Sequence, residues 1–466
     1  MRAARWWSNM VSKRVEPGTI PEAVVALCRR VHAAGFRAWV VGGSLRDLLL
    51  GRVPKDWDLA TSAMPQELMR LFQRVVPTGL AHGTVTVLWH DVPYELTTLR
   101  GEGAYSDSRH PDEVFFVKDI EEDLARRDFT VNALAYDPLE DHLIDPFGGV
   151  SDLERRLLRT VGRPEERFSE DGLRVLRAAR FVATLEFALE DQTRAAIPQA
   201  LSAFARVSKE RVRDEWLRTM QARQPSRAFE VMRSSGILAV SCAELMQQVG
   251  CEQNKYHAYD VWNHSMACLD ASPPDPVQRM AALLHDLGKP RTRELSPKTA
   301  DYTFYHHDVV GAEMAEDWLR SYRFSNDERR RIVHLVRHHL ICYSSEWTDA
   351  AVRRFVRRVG PEQVDALLAL GRADVLAKGR PVEAELGALD ELRARIADSL
   401  SQGVAFGIKD LAISGSDVIT QLGVAPGPII GRVLACLLER VLDDPALNER
   451  EALLSLVVSC AQEVPA

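Results

Sequence analysis

The sequence predicts an α+β protein: a small mixed β-sheet region followed by a long, all-helical remainder. Three observations carry this. Short apolar runs of strand length, bounded by glycine and proline, crowd between residues 21 and 150. Beyond Gly149 such runs nearly vanish, and apolar residues recur at helical spacing to the end. The 466 residues far exceed one domain, for which about 100–200 is usual. The expected division is a tail over 1–20, a sheet-bearing head over 21–150, a helical neck and body over 151–250, a histidine-rich helical region over 251–400, and a last helical segment over 401–466.

Taken in order, residues 1–20 read as a loose tail, ended by Pro17, Gly18 and Pro21. A helix over 21–34 leads into an apolar strand over 38–41, a Gly42-Gly43 turn and a short helix ended by Gly51. Strand-like runs follow at 57–60, 84–89 and 94–100, the last two joined as a hairpin through 90–93. This mixture suggests an α/β nucleotide-handling domain. Residues 170–181 read as a helix that Ser169 can cap. Ser272-Pro273-Pro274-Asp275-Pro276 breaks one helix before another, and Gly403, Gly407, Gly423 and Pro426-Gly427-Pro428 mark the final segment. No internal repeat or low-complexity tract is present.

Composition excludes several classes. With 46% hydrophobic residues the chain can bury a sizeable core, so wholesale disorder is excluded. No stretch offers about 18 uncharged apolar residues, which excludes a membrane-spanning helix. The first residues lack the apolar core of a signal peptide. Seven scattered cysteines without a CxxC pair make neither a disulfide framework nor a zinc cage, and fit a reducing cytoplasm. The net charge of -7 gives the whole molecule no attraction for nucleic acid. RNA binding must come from a local basic surface, such as 151–230, where basic side chains outnumber acidic ones.

Two constellations carry chemistry. In the first, the strand over 38–41 runs into Gly42-Gly43-Ser44 and a helix bearing Arg46 and Asp47. Glycines admit a ligand close to the backbone, and the helix N-terminus offers free N–H groups to phosphate. Alone, such a turn is structural more often than not. About a dozen residues on comes Lys55-Asp56-Trp57-Asp58. In a strand, residues two apart share a face, so Asp56 and Asp58 project together while Trp57 faces the core. Adjacent carboxylates repel unless a cation lies between them, and hard oxygen ligands suit Mg²⁺ on a nucleotide triphosphate. Glu95, on a neighbouring strand, is a third candidate carboxylate.

Gly42-Gly43-Ser44-Leu45-Arg46-Asp47 with Lys55-Asp56-Trp57-Asp58-Leu59-Ala60-Thr61 resembles the nucleotidyltransferase signature of the polymerase-beta superfamily. Within it, the pattern is similar to the bacterial class II branch of CCA-adding tRNA nucleotidyltransferases and poly(A) polymerases. Arg126-Arg127-Asp128-Phe129-Thr130-Val131-Asn132-Ala133 resembles that branch's ribose- and triphosphate-binding motif. Asp145-Pro146-Phe147-Gly148-Gly149 resembles its hinge, Glu170-Asp171-Gly172-Leu173-Arg174-Val175-Leu176-Arg177 its base-selecting motif, and Val207-Ser208-Lys209-Glu210-Arg211 with Glu215 its last neck motif. The resemblance covers 41–236.

It implies metal-assisted attack of an RNA 3′-hydroxyl on the α-phosphate of CTP or ATP, with Mg²⁺ in the head and tRNA as acceptor. Asp56, Asp58 and Glu95 would be catalytic. Gly42, Gly43, Ser44, Arg46, Arg127, Asp128, Asn132, Arg177 and Arg180 would hold the nucleotide; Arg180 reads equally well as a surface arginine. Asp171 accepts hydrogen bonds and Arg174 donates them, so together they match the edges of cytosine and adenine and mispair with uracil and guanine. By itself that pair also reads as an i,i+3 surface salt bridge. Residues 101–113 resemble the loop needed for switching to A addition, which favours full CCA or A-only addition. Thr86, Val87 and Gly101-Glu102-Gly103-Ala104-Tyr105 resemble the CCA-adding branch, and the chain ends without the long basic tail expected of a poly(A) polymerase.

The second constellation is His264, His285-Asp286 and Asp374, with one member each of His306-His307 and His338-His339. Adjacent His and Asp can hold one or two metal ions when others close the shell. Most of the 13 histidines lie between His257 and His339, a clustering that scattered surface histidines do not produce. The pattern resembles HD-domain phosphohydrolases. That implies a divalent metal held by His264, His285, Asp286, Asp374, His307 and His339, and hydrolysis of phosphomonoesters or 2′,3′-cyclic phosphates, including damaged RNA ends. Within that family, an HD domain that only holds RNA is the other reading.

Overall fold

The computed structural model describes residues 15, 16, 18–101 and 115–464. The chain forms two compact units, Met1–Ala243 and Glu244–Ala466. The architecture is α+β, as expected, with a small mixed sheet in the head and a mostly helical remainder.

The sheet has seven strands: β1 (Ala38–Val41), β2 (Asp58–Thr61), β3 (Val75–Gly79), β4 (Thr84–Trp89), β5 (Val92–Thr98), β6 (Ala135–Asp137) and β7 (His142–Ile144), in the order β3-β4-β5-β2-β1-β6-β7. Only β2 and β5 run parallel. β4 and β5 form the expected hairpin. His90 and Asp91 both take positive φ at its tip (51° and 65°), the backbone that a tight two-residue turn requires. Strands β3, β6 and β7 are short or half-exposed and carry no clean alternation, so apolar patterning misses them. One face of the sheet packs Trp39, Val41, Ala60, Leu99, Ile120, Leu124 and Ala135 into a core.

Several expectations are corrected. β2 begins at Asp58, so Asp56 lies in the bend before the strand, and Trp57 is half-buried rather than in the core. The strand starts where its neighbours first pair with it, at Asp58↔Glu95 and Leu59↔Val40. Val15 and Ile20 are buried, so the described end of residues 1–20 is not a loose tail. No single helix spans 170–181. One helix ends at Glu170 (Pro164–Glu170) and the next is Leu173–Leu185. Ser169 therefore lies inside the first helix, its hydroxyl donating to the Glu166 carbonyl. Asp171 accepts the Leu173 N–H in its place (3.0 Å). The break has a packing cause: a Cβ on Gly172 would lie 2.4 Å from the Ala203 backbone carbon. The loop 101–113 lies outside the described residues except for Gly101.

The neck keeps a two-residue parallel pairing (Leu157–Leu158 with Ala188–Leu189). Asp145 caps the helix Gly149–Arg155, accepting from the N–H groups of Gly149 (2.6 Å) and Val150 (3.0 Å).

In the second unit the helices Val261–Ala271, Pro276–Leu284, Asn326–His338 and Val364–Leu376 pack together. The Pro-rich break behaves as expected: Asp275 accepts the Gln278 N–H and Pro276 takes the first helical position. One short hairpin interrupts the helices, Glu294–Ser296 with Asp301–Thr303. The last helices, Gly415–Leu422, Pro428–Asp443 and Arg450–Glu463, bury a separate apolar cluster that includes Val433, Leu437, Leu453 and Val457. No helix among the described residues is long and apolar enough to cross a membrane.

Candidate functional site

In the first unit, a cavity of about 700 Å³ opens over the sheet. Its floor is carboxylate. Asp58 and Glu95 stand side by side on parallel strands, and Asp56 reaches the same space from the preceding bend. Alternation along β5 buries Tyr94 and Leu96 and turns Glu95 outward. The Asp58 carboxyl is pushed above its ordinary range by burial first and by Glu95 next, against the pull of Arg127; Asp56 adds to the rise. Crowded hard oxygens at strained protonation are what a divalent cation relieves, so this donor set fits Mg²⁺.

The walls are arginine. Gly42, which opens the helix Gly42–Leu49, takes φ +71°, and a Cβ there would stand 3.0 Å from Arg127 Nη1, so the position favours glycine. Arg127 is held by Asp123 (3.1 Å) and donates to the Asn132 carbonyl (3.3 Å). From there one polar network runs through the site. Arg46 donates to Asn132 Oδ1 (2.7 Å), and Asn132 Nδ2 donates to Asp128 Oδ1 (3.0 Å). Arg177 Nε donates to Asp128 Oδ2 (2.8 Å). Burial alone would lift Asp128; Arg177 and the Asn132 amide outweigh it and bring its pKa down to about 2. The network continues to Glu215, which is buried and faces Arg177 (3.5 Å), Arg180 (2.5 Å) and Arg218 (3.2 Å). Arg180 is thus no surface arginine; its guanidinium lies 4.0 Å from the Phe181 ring centre.

Asp171 and Arg174 both line the cavity but do not pair with each other. Arg211, forty residues on, clasps Asp171 at 2.7 and 3.2 Å. Arg174 pairs with Glu170 and donates to the carbonyls of Arg167 (2.9 Å) and Arg126 (3.0 Å). The i,i+3 salt bridge is therefore absent, and both side chains are fixed by others. Of the candidate head residues, only Ser44 turns away: it is buried and donates to the Val41 carbonyl (2.9 Å). The cavity also includes Arg100, Arg126, Phe181 and Arg218. Of these, only the Arg126-Arg127 pair carried a signal, by adjacency to a motif.

In the second unit, His264, His285, Asp286, His307 and His339 are buried, and their ligand atoms fall into two groups sharing Asp286. Asp374 joins through Oδ1, 2.9 Å from His264 Nε2. His307 and His339 are the inward members of their pairs; His306 is exposed and His338 half-buried. Each of the four histidines presents Nδ1 to a backbone carbonyl: His264 to Ala377 (3.2 Å), His285 to Ala282 (2.7 Å), His307 to Phe304 (2.6 Å) and His339 to Val336 (2.7 Å). A carbonyl only accepts, so each Nδ1 carries a proton and each ring turns Nε2 inward. His339 is held down to about 4 by burial first, then by His285 and His307, so it is neutral near pH 7. Buried Asp286 has Lys289 Nζ 2.7 Å and His285 Nε2 3.2 Å from its Oδ2. Imidazole nitrogens and carboxylates facing one another in a buried space fit a metal centre. Lys289 is the neighbour that sequence reasoning left out of the site, although it follows His285-Asp286 within one turn.

Comparison with known proteins bears on both units. The family model described as "Poly A polymerase head domain" matches residues 38–159, "RNA and SrmB- binding site of polymerase A" matches 186–247, and "tRNA nucleotidyltransferase domain 2" matches 302–457. The CCA-adding enzyme of Lactobacillus johnsonii is 46% identical over 215 residues, 46% of this chain and 54% of that protein, so this alignment spans about half of the relative's length. The CCA-adding enzyme of Lactiplantibacillus plantarum is 32% identical over 93% of this chain and 95% of its own, and that of Streptococcus gordonii 33% identical over 95% and 98%. Among solved structures, the Bacillus stearothermophilus CCA-adding enzyme in complex with CTP superposes with a TM-score of 0.75 at 28% identity, covering 95% of this chain and 98% of that one. With relatives aligned along nearly the whole of both chains, the chain belongs to the family of CCA-adding enzymes.

Proposed function

We propose that the chain adds C, C and A to the 3′ end of tRNA, taking CTP and ATP in turn at the head cavity without a nucleic-acid template. The observation that carries this reading is the convergence in one cavity of Asp56, Asp58 and Glu95 with Arg46, Arg127, Arg177, Asp171 and Arg174. The CTP seated in the Bacillus stearothermophilus relative supports it.

Asp56 and Asp58, with Glu95 beside them, hold Mg²⁺. When bound, the ions supply activation of the RNA 3′-hydroxyl and charge neutralisation on the departing pyrophosphate. Arg127 and Arg177 take triphosphate oxygens, since their guanidinium forks match phosphate geometry and their positions are fixed by Asp123 and Asp128. Gly42 keeps the backbone clear for close approach. Asp171 accepts from the amino group of cytosine or adenine and Arg174 donates to the neighbouring ring nitrogen. Uracil and guanine present a carbonyl and a ring N–H at those positions and leave both side chains mispaired. The arginine-rich neck holds the acceptor by its phosphates, so affinity falls as salt rises.

The test supplies tRNA lacking CCA, lacking only A, or complete, with each NTP separately, and reads product lengths. Stepwise C, C, A on the first substrate is expected. A added only to tRNA ending in CC makes the chain an A-adding partner enzyme. Long A tails on unrelated RNA make it a poly(A) polymerase, and no incorporation at all makes the head inert.

A second activity is favoured by a separate observation, the four inward Nε2 atoms around the buried Asp286 carboxylate. We infer that the second unit is an HD-type, metal-dependent phosphohydrolase, with His264, His285, Asp286, Asp374, His307 and His339 as ligands. Phosphate release that survives Asp56→Ala and disappears in Asp286→Ala supports it; release lost with Asp56→Ala alone assigns the activity to the head instead.

A further inference from the structure

We propose that Phe181 is a positioning residue for nucleotide binding: its ring seats Arg46, Arg177 and Arg180 together and holds their guanidinium groups where a nucleoside triphosphate meets them, whichever base it carries. The proposal rests on the reading of the head cavity as a nucleotide-addition site.

The ring gathers side chains from two helices. Arg177, Arg180 and Phe181 lie on Leu173–Leu185, and Arg46 comes from Gly42–Leu49. The guanidinium carbons lie 4.0 Å (Arg180), 5.3 Å (Arg177) and 5.5 Å (Arg46) from the ring centre. All three fall inside the range of about 6 Å over which a cation is drawn to the negative face of an aromatic ring. One ring therefore serves three cations, and all four residues line the head cavity. Phe181 is only 5% exposed, so these contacts lie largely out of water, where such attraction is strongest. Phe129, fully buried, meets the ring nearly at right angles (82°, centres 5.6 Å apart) and fixes its plane from the core side.

The acids of the network cannot stand in for the ring. Asp47, Asp128 and Glu215 take the Nε groups of Arg46, Arg177 and Arg180 (2.9, 2.8 and 2.5 Å), which ties one edge of each guanidinium. Three cations gathered at one point still repel one another. Burial first, and Arg177 with it, hold Arg180 below its ordinary range against the pull of Glu215. The ring attracts all three without adding a formal charge. A further carboxylate would gather them too, but it would compete with phosphate for the same N–H groups. The arrangement therefore suits a polyanion, and the triphosphate is the part that CTP and ATP share. The base-facing side chains Asp171 and Arg174 are held by other partners, Arg211 and Glu170, so Phe181 acts on nucleotide affinity and not on the choice of base.

The experiment uses the full chain with Phe181 replaced in turn by mono-, di- and trifluorophenylalanine. Fluorine draws charge from the ring face and leaves the size of the ring nearly unchanged. Addition is followed with CTP on tRNA lacking CCA and with ATP on tRNA lacking only A. KM for both nucleotides is expected to rise step by step with fluorine number, by the same factor, to about tenfold or more. The kcat values should stay within about twofold, as for an interaction made equally in the ground and transition states, and discrimination against UTP should not change. Phe181→Leu, which fills the space but removes the ring, should raise KM at least as far as trifluorophenylalanine does. KM values that stay flat across the series show a ring that only fills space and overturn the proposal. A rise for one nucleotide alone makes Phe181 a base contact, and a loss confined to kcat makes it a group that acts in the chemical step; either overturns the proposal while the head reading stands. No incorporation of either nucleotide by the unsubstituted chain overturns the head reading and the proposal with it.

Discussion

The two candidate centres arrange acids and bases in opposite ways. In the head, Asp56, Asp58 and Glu95 crowd together at the floor of an open cavity and repel one another, while the arginines around them are already tied to Asp123, Asp128 and Glu215. In the second unit the acid is buried and ringed by imidazoles, each locked by a backbone carbonyl. On the reading proposed above, the first would exchange its ions with every nucleotide that enters, and the second, with nitrogen donors, would keep borderline-soft metals resident. The difference teaches that the groups around a carboxylate, as much as the carboxylate itself, set what it can bind.

The sharpest way to break this comparison is Asp58→Ala. It should lower nucleotide addition by about a thousandfold or more, several kcal/mol of transition-state stabilisation, and leave phosphate release by the second unit unchanged. Primer extension and phosphate assays on one preparation measure both. A parallel loss of the two activities would mean the centres are not independent.

Next in size is Asp171→Ala. It should leave CTP addition weakened and reduce discrimination against UTP by about a hundredfold, read from competing kcat/KM values. Unchanged discrimination would move base choice to other groups.

Glu215→Gln keeps the shape but removes the charge shared by Arg177, Arg180 and Arg218. Loss of one buried partner costs about 3 kcal/mol, expected as a lower urea midpoint for the first unit with the second unit's transition unmoved.

Acidity separates Asp58 from Asp128. Asp58 is raised, so it takes up its proton at higher pH than an ordinary carboxyl. The acid limb of nucleotide addition should lie above the ordinary carboxylate range and move down as Mg²⁺ is increased. For stability the signs differ. Asp58 weakens the fold as pH rises through its window. Asp128, lowered to about 2, contributes fully above an unfolded value of about 3.9 and ceases to as pH falls through about 2. The smallest effect is Gly42→Ala: strain at φ +71° should cost about 1–2 kcal/mol, seen as a modest fall in thermal midpoint.

The acids and histidines that converge in the two cavities were legible because chemistry of that kind concentrates in short motifs: Asp56 and Asp58 together, His285 beside Asp286. The strand β1 and the β4–β5 hairpin were legible because apolar runs there end at glycine or proline. What escaped depends on partners distant in sequence. Spacing cannot reveal that the chain breaks at Gly172 because the Ala203 backbone approaches so closely. It cannot separate His307 from His306 either, since only the fold decides which of two adjacent rings turns inward. Arg180 could also be read as a surface arginine because Glu215, its partner, lies thirty-five residues on.

The grip of Arg211 on Asp171 has a practical consequence. The carboxylate proposed to recognise the incoming base owes its aim to a guanidinium on a separate helix, Lys209–Thr219. Grafting 170–177 alone into a foreign scaffold would transplant the letters without the bracket that aims them. A chimera meant to carry this nucleotide preference has to import both pieces.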